Sequence, residues 1–151
     1  MFYYIVVLLF LVQNDCQQIS KIRNDYHQLT KSKSIDDFIE FAEDCNCNQA
    51  LPYLASATMQ KAQYSFYPFQ KLNYFNKGKK MLENYIKEHP NNIEARYIRL
   101  LNQNETPAFL NYKKNIEEDL NFILKNIHKS NLPEEYQQTI LTHIKPYLTK
   151  K

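Results

Sequence analysis

One glycine, Gly78, serves a chain of 151 residues. That scarcity constrains the fold more than any other feature. Phosphate-cradling loops, dinucleotide fingerprints and series of tight hairpins each need several glycines, because glycine alone enters the left-handed and close-approach backbone regions freely. Those architectures are excluded, and the nucleotide-binding functions that depend on them go too. The chain must be built from elements that need no glycine.

The spacing of apolar residues says which. Ile19, Ile22, Tyr26 and Leu29 step by three and four, as on one face of a helix. Ser34 then offers an N-cap, with Asp37 three residues later and Ile35, Phe38, Ile39, Ala42 and Cys45 as the stripe behind it. Pro52 suits a first turn, and Leu51, Leu54, Ala55, Thr58, Ala62 and Phe66 carry that helix towards Tyr67, where Pro68 should stop it. Leu72, Phe75, Gly78, Leu82 and Ile86 form a fourth face that ends at Pro90. Asn91, with Glu94 at the capping-box position, opens a fifth helix through Ile93, Tyr97, Leu100 and Leu101. Residues 102–111 are expected to be a loop. Tyr112, Ile116, Leu120, Ile123, Leu124 and Ile127 make the cleanest stripe, and Tyr136, Ile140, Leu141, Ile144 and Leu148 the last, with Pro146 near its end.

No stretch alternates with period two long enough for a strand. The expected fold is all-α, with six or seven antiparallel helices joined by short loops. Gly78 falls inside the fourth helix, where glycine costs about 1 kcal/mol relative to alanine. A neighbouring helix crossing closely at that point would account for it.

Gly78-x-x-x-Leu82, followed by Pro90-Asn91-Asn92-x-Glu94-Ala95, resembles part of a tetratricopeptide repeat. That family puts a small residue, a bulky apolar residue and a proline at these offsets. The resemblance implies antiparallel helical hairpins. It spans about 20 residues, Pro68 interrupts its register, and no second copy recurs at the family's period of about 34 residues. A wider string is similar to short signal-bearing proteins of Bacteroidota: Lys71-Leu72-x-Tyr74-Phe75, Arg96-Tyr97-x-Arg99-Leu100 and Pro107-x-Phe109-Leu110-x-Tyr112. It implies an exported helical domain and brings no activity with it.

Residues 2–12 are apolar apart from their tyrosine hydroxyls. That run is too short for the roughly 20 residues of a membrane-spanning helix, but it fits the core of a signal peptide. We expect residues 1–16 to be a signal peptide and 17–151 a single helical domain, exported to the periplasm or secreted. An uncleaved leader would instead allow association with a membrane surface. With cleavage, Cys16 leaves with the leader, so that Cys45 and Cys47 remain as a candidate disulfide, although a bridge across one residue closes a small, strained ring.

Nineteen Lys and Arg against 16 Asp and Glu leave a net charge of +3. The two signs are interspersed along the chain and runs of basic residues are short, so no nucleic-acid partner is expected. His27, His89, His128 and His143 show no helical pair spacing, and no cluster has the pattern of a metal site or needs a cofactor. Asp119 lies one position off its stripe and could pair with a base on a neighbouring helix.

One constellation is a candidate binding site. Arg96, Arg99 and Gln103 share a helix face, and Lys71, Tyr74 and Tyr112 could join it if three successive helices pack together. Paired guanidiniums suit a carboxylate or phosphate. The same two arginines could equally clamp helices through Glu94 or Asp119, and finding both saturated by internal acids would remove the case for a ligand. Catalytic residues are not expected. Two functions remain: an exported, non-catalytic interaction or adaptor module with a protein partner, which should expose a concave or apolar patch lined with Tyr and Phe, or a binder of a small anionic ligand, or an enzyme acting on one, through Arg96 and Arg99.

Overall fold

The computed structural model describes residues 16–148, and all of their regular structure is helical. Seven α-helices follow in order: α1 (Ile19–Tyr26), α2 (Ser32–Asp44), α3 (Leu51–Gln60), α4 (Pro68–Glu88), α5 (Ile93–Glu105), α6 (Ile116–Asn126) and α7 (Glu134–Leu148). The expected all-α class and helix number therefore hold. The signal peptide expected over residues 1–16 lies outside the described residues except for Cys16.

The short α3 is the hub. Eight of its ten residues are buried, Tyr53, Ala55, Ser56 and Ala57 completely. It packs most extensively on α4, and also on α1, α2 and α5. α3 and α4 run antiparallel: their adjoining ends, Gln60 and Pro68, line one groove, while Asn48 just before α3 bonds to His89 just after α4. Gly78 is the reason they can approach so closely. A Cβ there would lie 2.3 Å from the Ala55 carbonyl oxygen and 2.8 Å from the Met59 nitrogen, well inside contact distance of rigid backbone. Glycine's helix penalty is thus outweighed by a backbone contact that any other residue would block.

Several boundaries differ from expectation for local reasons. α3 ends at Gln60, and a 3-10 turn over Lys61–Tyr64 takes the chain off the α-helical register. Phe66, expected in the core, is consequently 94% exposed. Pro68 begins α4 rather than merely ending α3. Ser34 supports the start of α2 from inside its first turn, accepting from the Lys31 N–H and donating to the Lys31 carbonyl. Asn92, not Asn91, caps α5, its Oδ1 accepting from the Ala95 N–H at 2.8 Å. α5 also runs on to Glu105, because Asn102 bonds back to the Ile98 carbonyl and across to Ser56.

The cysteine pairing is corrected as well. Cys47 is bridged to Cys16, with Cα atoms 5.5 Å apart, and Cys45 is free. Cys45 ends α2 in a helical conformation, Asn46 turns the chain through a left-handed φ of 43°, and Cys47 is extended. The two neighbours therefore leave the turn in different directions. Cys16 is itself buried in the core cluster.

Candidate functional site

α5 and α6 pack antiparallel, and the arginines lie in their seam. Arg99 grips Asp119 with two parallel bonds, Nε to Oδ2 at 2.6 Å and Nη2 to Oδ1 at 2.7 Å, and its Nη1 reaches Glu83 of α4 at 3.0 Å. Arg96 donates to Asp119 at 2.9 Å, to Glu118 at 3.0 Å and to the Pro90 carbonyl at 2.8 Å. Asp119 is fully buried. Burial alone would lower the Arg99 pKa, but the bonds and charges of Asp119 and Glu83 outweigh it and raise the group further. Asn115 and then Arg96 hold the exposed Glu118 carboxyl below its ordinary range.

The predicted constellation is thus partly assembled. Gln103 sits in the same seam, fully buried, exchanging bonds with the Asn115 side chain and N–H. Tyr112 joins through Glu83, to which it donates at 2.6 Å. Burial first, and that bond second, raise its phenol pKa. Lys71 and Tyr74 do not join. Lys71 lines a groove described below, and Tyr74 stands under the Lys61 ammonium at 5.1 Å, near α2. The carboxylates that a ligand would bring to Arg96 and Arg99 are supplied by the protein itself. The seam is a helix clamp, and the anionic-ligand reading loses its motive.

A second polar network crosses the core between α1, α3, α5 and α7. Arg23 binds Glu94 through two bonds of 2.7 and 2.8 Å, Tyr53 donates to the same carboxylate at 2.5 Å, and Tyr53 and Tyr136 share a 2.6 Å bond. Glu94 serves here rather than as a capping-box residue. His27 and His143 sit edge to face, 4.7 Å between centroids, and the Tyr97 hydroxyl bonds His143 Nδ1 at 2.5 Å. Burial, and secondarily His143, push the His27 pKa down to about 4. Sequence spacing could not show this pair, because 116 positions separate its members. Among the described residues no three His, Cys, Asp or Glu are grouped to hold a metal, and every buried side-chain N or O has a partner.

The third feature is apolar. A groove of about 500 Å³ opens between the start of α4 and the end of α5, floored by Met59, Phe75 and Leu110 and walled by Lys71, Leu72 and Glu105. Two loops bring aromatic rings to this end of the molecule. Phe66, Tyr67 and Phe69 are 94%, 72% and 89% exposed at the α3–α4 connection, and Phe109 is 83% exposed between α5 and α6. Pro107 fixes the backbone before Phe109, and Asn111, at a φ of 48°, turns it back afterwards. Apolar spacing alone places Phe66 in the core and Leu72 on a buried stripe, whereas they are 94% and 46% exposed. The signal that could have placed them outside was Pro68, which separates one register from the next.

Comparison with protein-family models, curated proteins and solved structures returns no match for this chain.

Proposed function

We propose that the chain is an exported, non-catalytic module of tetratricopeptide-like helical hairpins that binds a protein partner through the groove between α4 and α5. The observation that carries this reading is the concavity itself, with Phe109 83% exposed at its edge, Phe75 on its floor and Phe69 89% exposed next to Pro68, which lines it. Exposed aromatic patches of this kind mark interaction surfaces, since leaving several large rings in water is otherwise unfavourable. Among the described residues, the buried polar side chains elsewhere all have hydrogen-bond partners.

Export is supported by the apolar leader and by the Cys16–Cys47 bridge, which a reducing cytosol would not maintain. It also refines the expected processing point. Cleavage after Cys16 would discard half of the bridge, so the leader ends before Cys16 or is retained. Mass spectrometry of the mature chain tests this: a terminus at Gln17 overturns it.

The binding surface is tested by pull-down from the native envelope fraction with the natural chain and with the double variant Phe69→Ser, Phe109→Ser. A partner retained by the first and lost by the second, at unchanged melting temperature, is the expected result. Equal retention by both overturns the groove as the binding site.

A further inference from the structure

We infer that the occupant of the groove is a second copy of this chain, paired about a two-fold axis. The inference rests on the groove being the binding surface and names the partner it takes.

The first observation is charge. Of the residues that line the groove, one is basic, Lys71 on α4, and one is acidic, Glu105 on α5. Neither forms an ion pair among the described residues. Each also sits at the helix end that disfavours its sign. Lys71 is the fourth residue of α4, near the positive end of that helix, and the first turn there carries no acid. Glu105 is the last residue of α5, at the negative end, and the last turn there carries no base. An acid from outside would relieve the first, and a base from outside the second. A foreign partner would need both signs in matching places. A second copy has them by construction, because a two-fold axis sets the surface that offers Lys71 against the surface that offers Glu105, twice.

The second observation is shape. An isologous contact needs a patch that is its own complement, and here a hollow and projecting rings share one face. Met59, Phe75 and Leu110 floor the hollow. Phe109 projects at its edge, and Phe69 projects beside Pro68, which lines it. In the pair, the projecting rings of each copy enter the hollow of the other.

The third observation is area. Phe66, Tyr67, Phe69 and Phe109 are 94%, 72%, 89% and 83% exposed, and aromatic side chains present about 150–250 Å² each, so the four together offer roughly 500–850 Å². A stable interface of standard size takes about 800 Å² from each partner. The apolar wall of the hollow, including the half-exposed Leu72, adds to what the rings supply. The largest apolar patch of an ordinary monomer is about 300–600 Å². Closure about a two-fold axis covers this patch on both copies and leaves none open for further growth.

The test is sedimentation equilibrium of the full chain across the micromolar range, where a reversible monomer–dimer equilibrium is expected. The double variant Phe69→Ser, Phe109→Ser should stay monomeric with its circular dichroism unchanged. Lys71→Glu and Glu105→Lys should each weaken pairing at least about threefold, since each sets like charges together at both symmetric contacts. Combined in one chain, the two substitutions restore opposite charges and should recover the natural affinity, which a merely damaged surface would not do. A natural chain that stays monomeric overturns the second copy. The pull-down then decides separately whether a different protein occupies the groove, so the groove reading can survive that result. A dimer that none of these variants weakens lies on another face and overturns the proposal. Association that continues beyond the dimer overturns it too, because an open head-to-tail contact grows without limit. Dependence on the rings without recovery by the charge exchange overturns the two-fold pairing of Lys71 with Glu105.

Discussion

Two regions built from the same kinds of residue behave in opposite ways. In the α5–α6 seam, cations lie against Asp119, Glu118 and Glu83, and aromatic neighbours such as Tyr112 are buried. At the groove, barely a helix away, Lys71 forms no ion pair among the described residues, and Phe109 is 83% exposed, as are Phe66 and Phe69 (94% and 89%) at the nearby start of α4. A charge or ring with its partner in the same chain contributes to the fold. One without a partner costs nothing to remove from the fold, and so is free to serve something else. The contrast explains why the arginines, the more obvious binding residues in the sequence, belong to the structure, while the exposed phenylalanines are left for the proposed binding surface.

The comparison is first broken by attacking the built side. Gly78→Leu should have the largest effect. Its Cβ alone would meet the Ala55 carbonyl at 2.3 Å, so α3 and α4 must separate. Overpacking in cores costs about 1–3 kcal/mol where side chains can yield, and here the obstacle is backbone. Loss of a cooperative thermal transition is expected, and a melting temperature within a few degrees of the natural chain would show that α3 and α4 do not cross there. Asp119→Ala comes next. It leaves Arg96 and Arg99 facing each other over an empty site, and breaking a buried pair by removing one partner costs about 3–5 kcal/mol. Urea unfolding measures this, and a loss under about 1 kcal/mol would mean that the seam is not a clamp.

The bridge is intermediate. It closes a loop of 31 positions, which the chain-entropy account values at about 3–4 kcal/mol. Cys16→Ser should lower stability by up to that amount, whereas Cys45→Ser should change little. A larger loss from Cys45→Ser than from Cys16→Ser would reinstate the pairing expected from sequence.

How much of this was legible beforehand depends on the range of the interaction. The helices were, because apolar spacing is local: Ile22 and Tyr26, Leu82 and Ile86, Ile140 and Ile144 all occupy buried faces as their periodicity requires. Gly78 was, because a costly residue in a helix demands a local reason. The disulfide was not, since nothing local distinguishes Cys45 from Cys47 until Asn46 takes up its left-handed turn. The pairing of Asp119 with a neighbouring helix was anticipated from its position off the stripe, but not that Arg23 would claim Glu94 from 71 positions away. The exposed aromatics were not, because Phe66 fits the stripe of α3 until the 3-10 turn over Lys61–Tyr64 takes the chain off that register.

A smaller effect distinguishes the histidine pair from both regions. The folded pKa of His27 lies near 4, below its ordinary value of about 6.5. The unfolded chain therefore takes up the proton first as pH falls. The stability contributed by neutral His27 is complete above about pH 6.5 and is lost between there and about pH 4. Around it stand His143 on α7, Tyr136 on α7, Tyr97 on α5 and the neutralised Arg23 on α1. Because the ring is part-exposed, screening limits the loss to roughly 1 kcal/mol. His27→Gln should flatten the melting temperature between those pH values relative to the natural chain, and parallel profiles would show that other groups govern acid stability.

The smallest expected effect sharpens the comparison most. Phe69→Ser and Phe109→Ser remove rings that are 89% and 83% exposed. Substitutions at such surface positions usually change stability by no more than about 0.5 kcal/mol in either direction. Phe75→Ala, six positions along the same helix from Phe69, removes a buried ring packed edge-on against Tyr112 at 5.9 Å, and should cost about 3–5 kcal/mol. Chemical denaturation of these variants places the boundary between fold and surface within one turn and a half of α4. If Phe69→Ser destabilises as much as Phe75→Ala, the aromatic rim belongs to the core in solution and the groove is closed. If it is neutral, the rings are held in water by the fold for no structural benefit, and a partner is the remaining reason to keep them there.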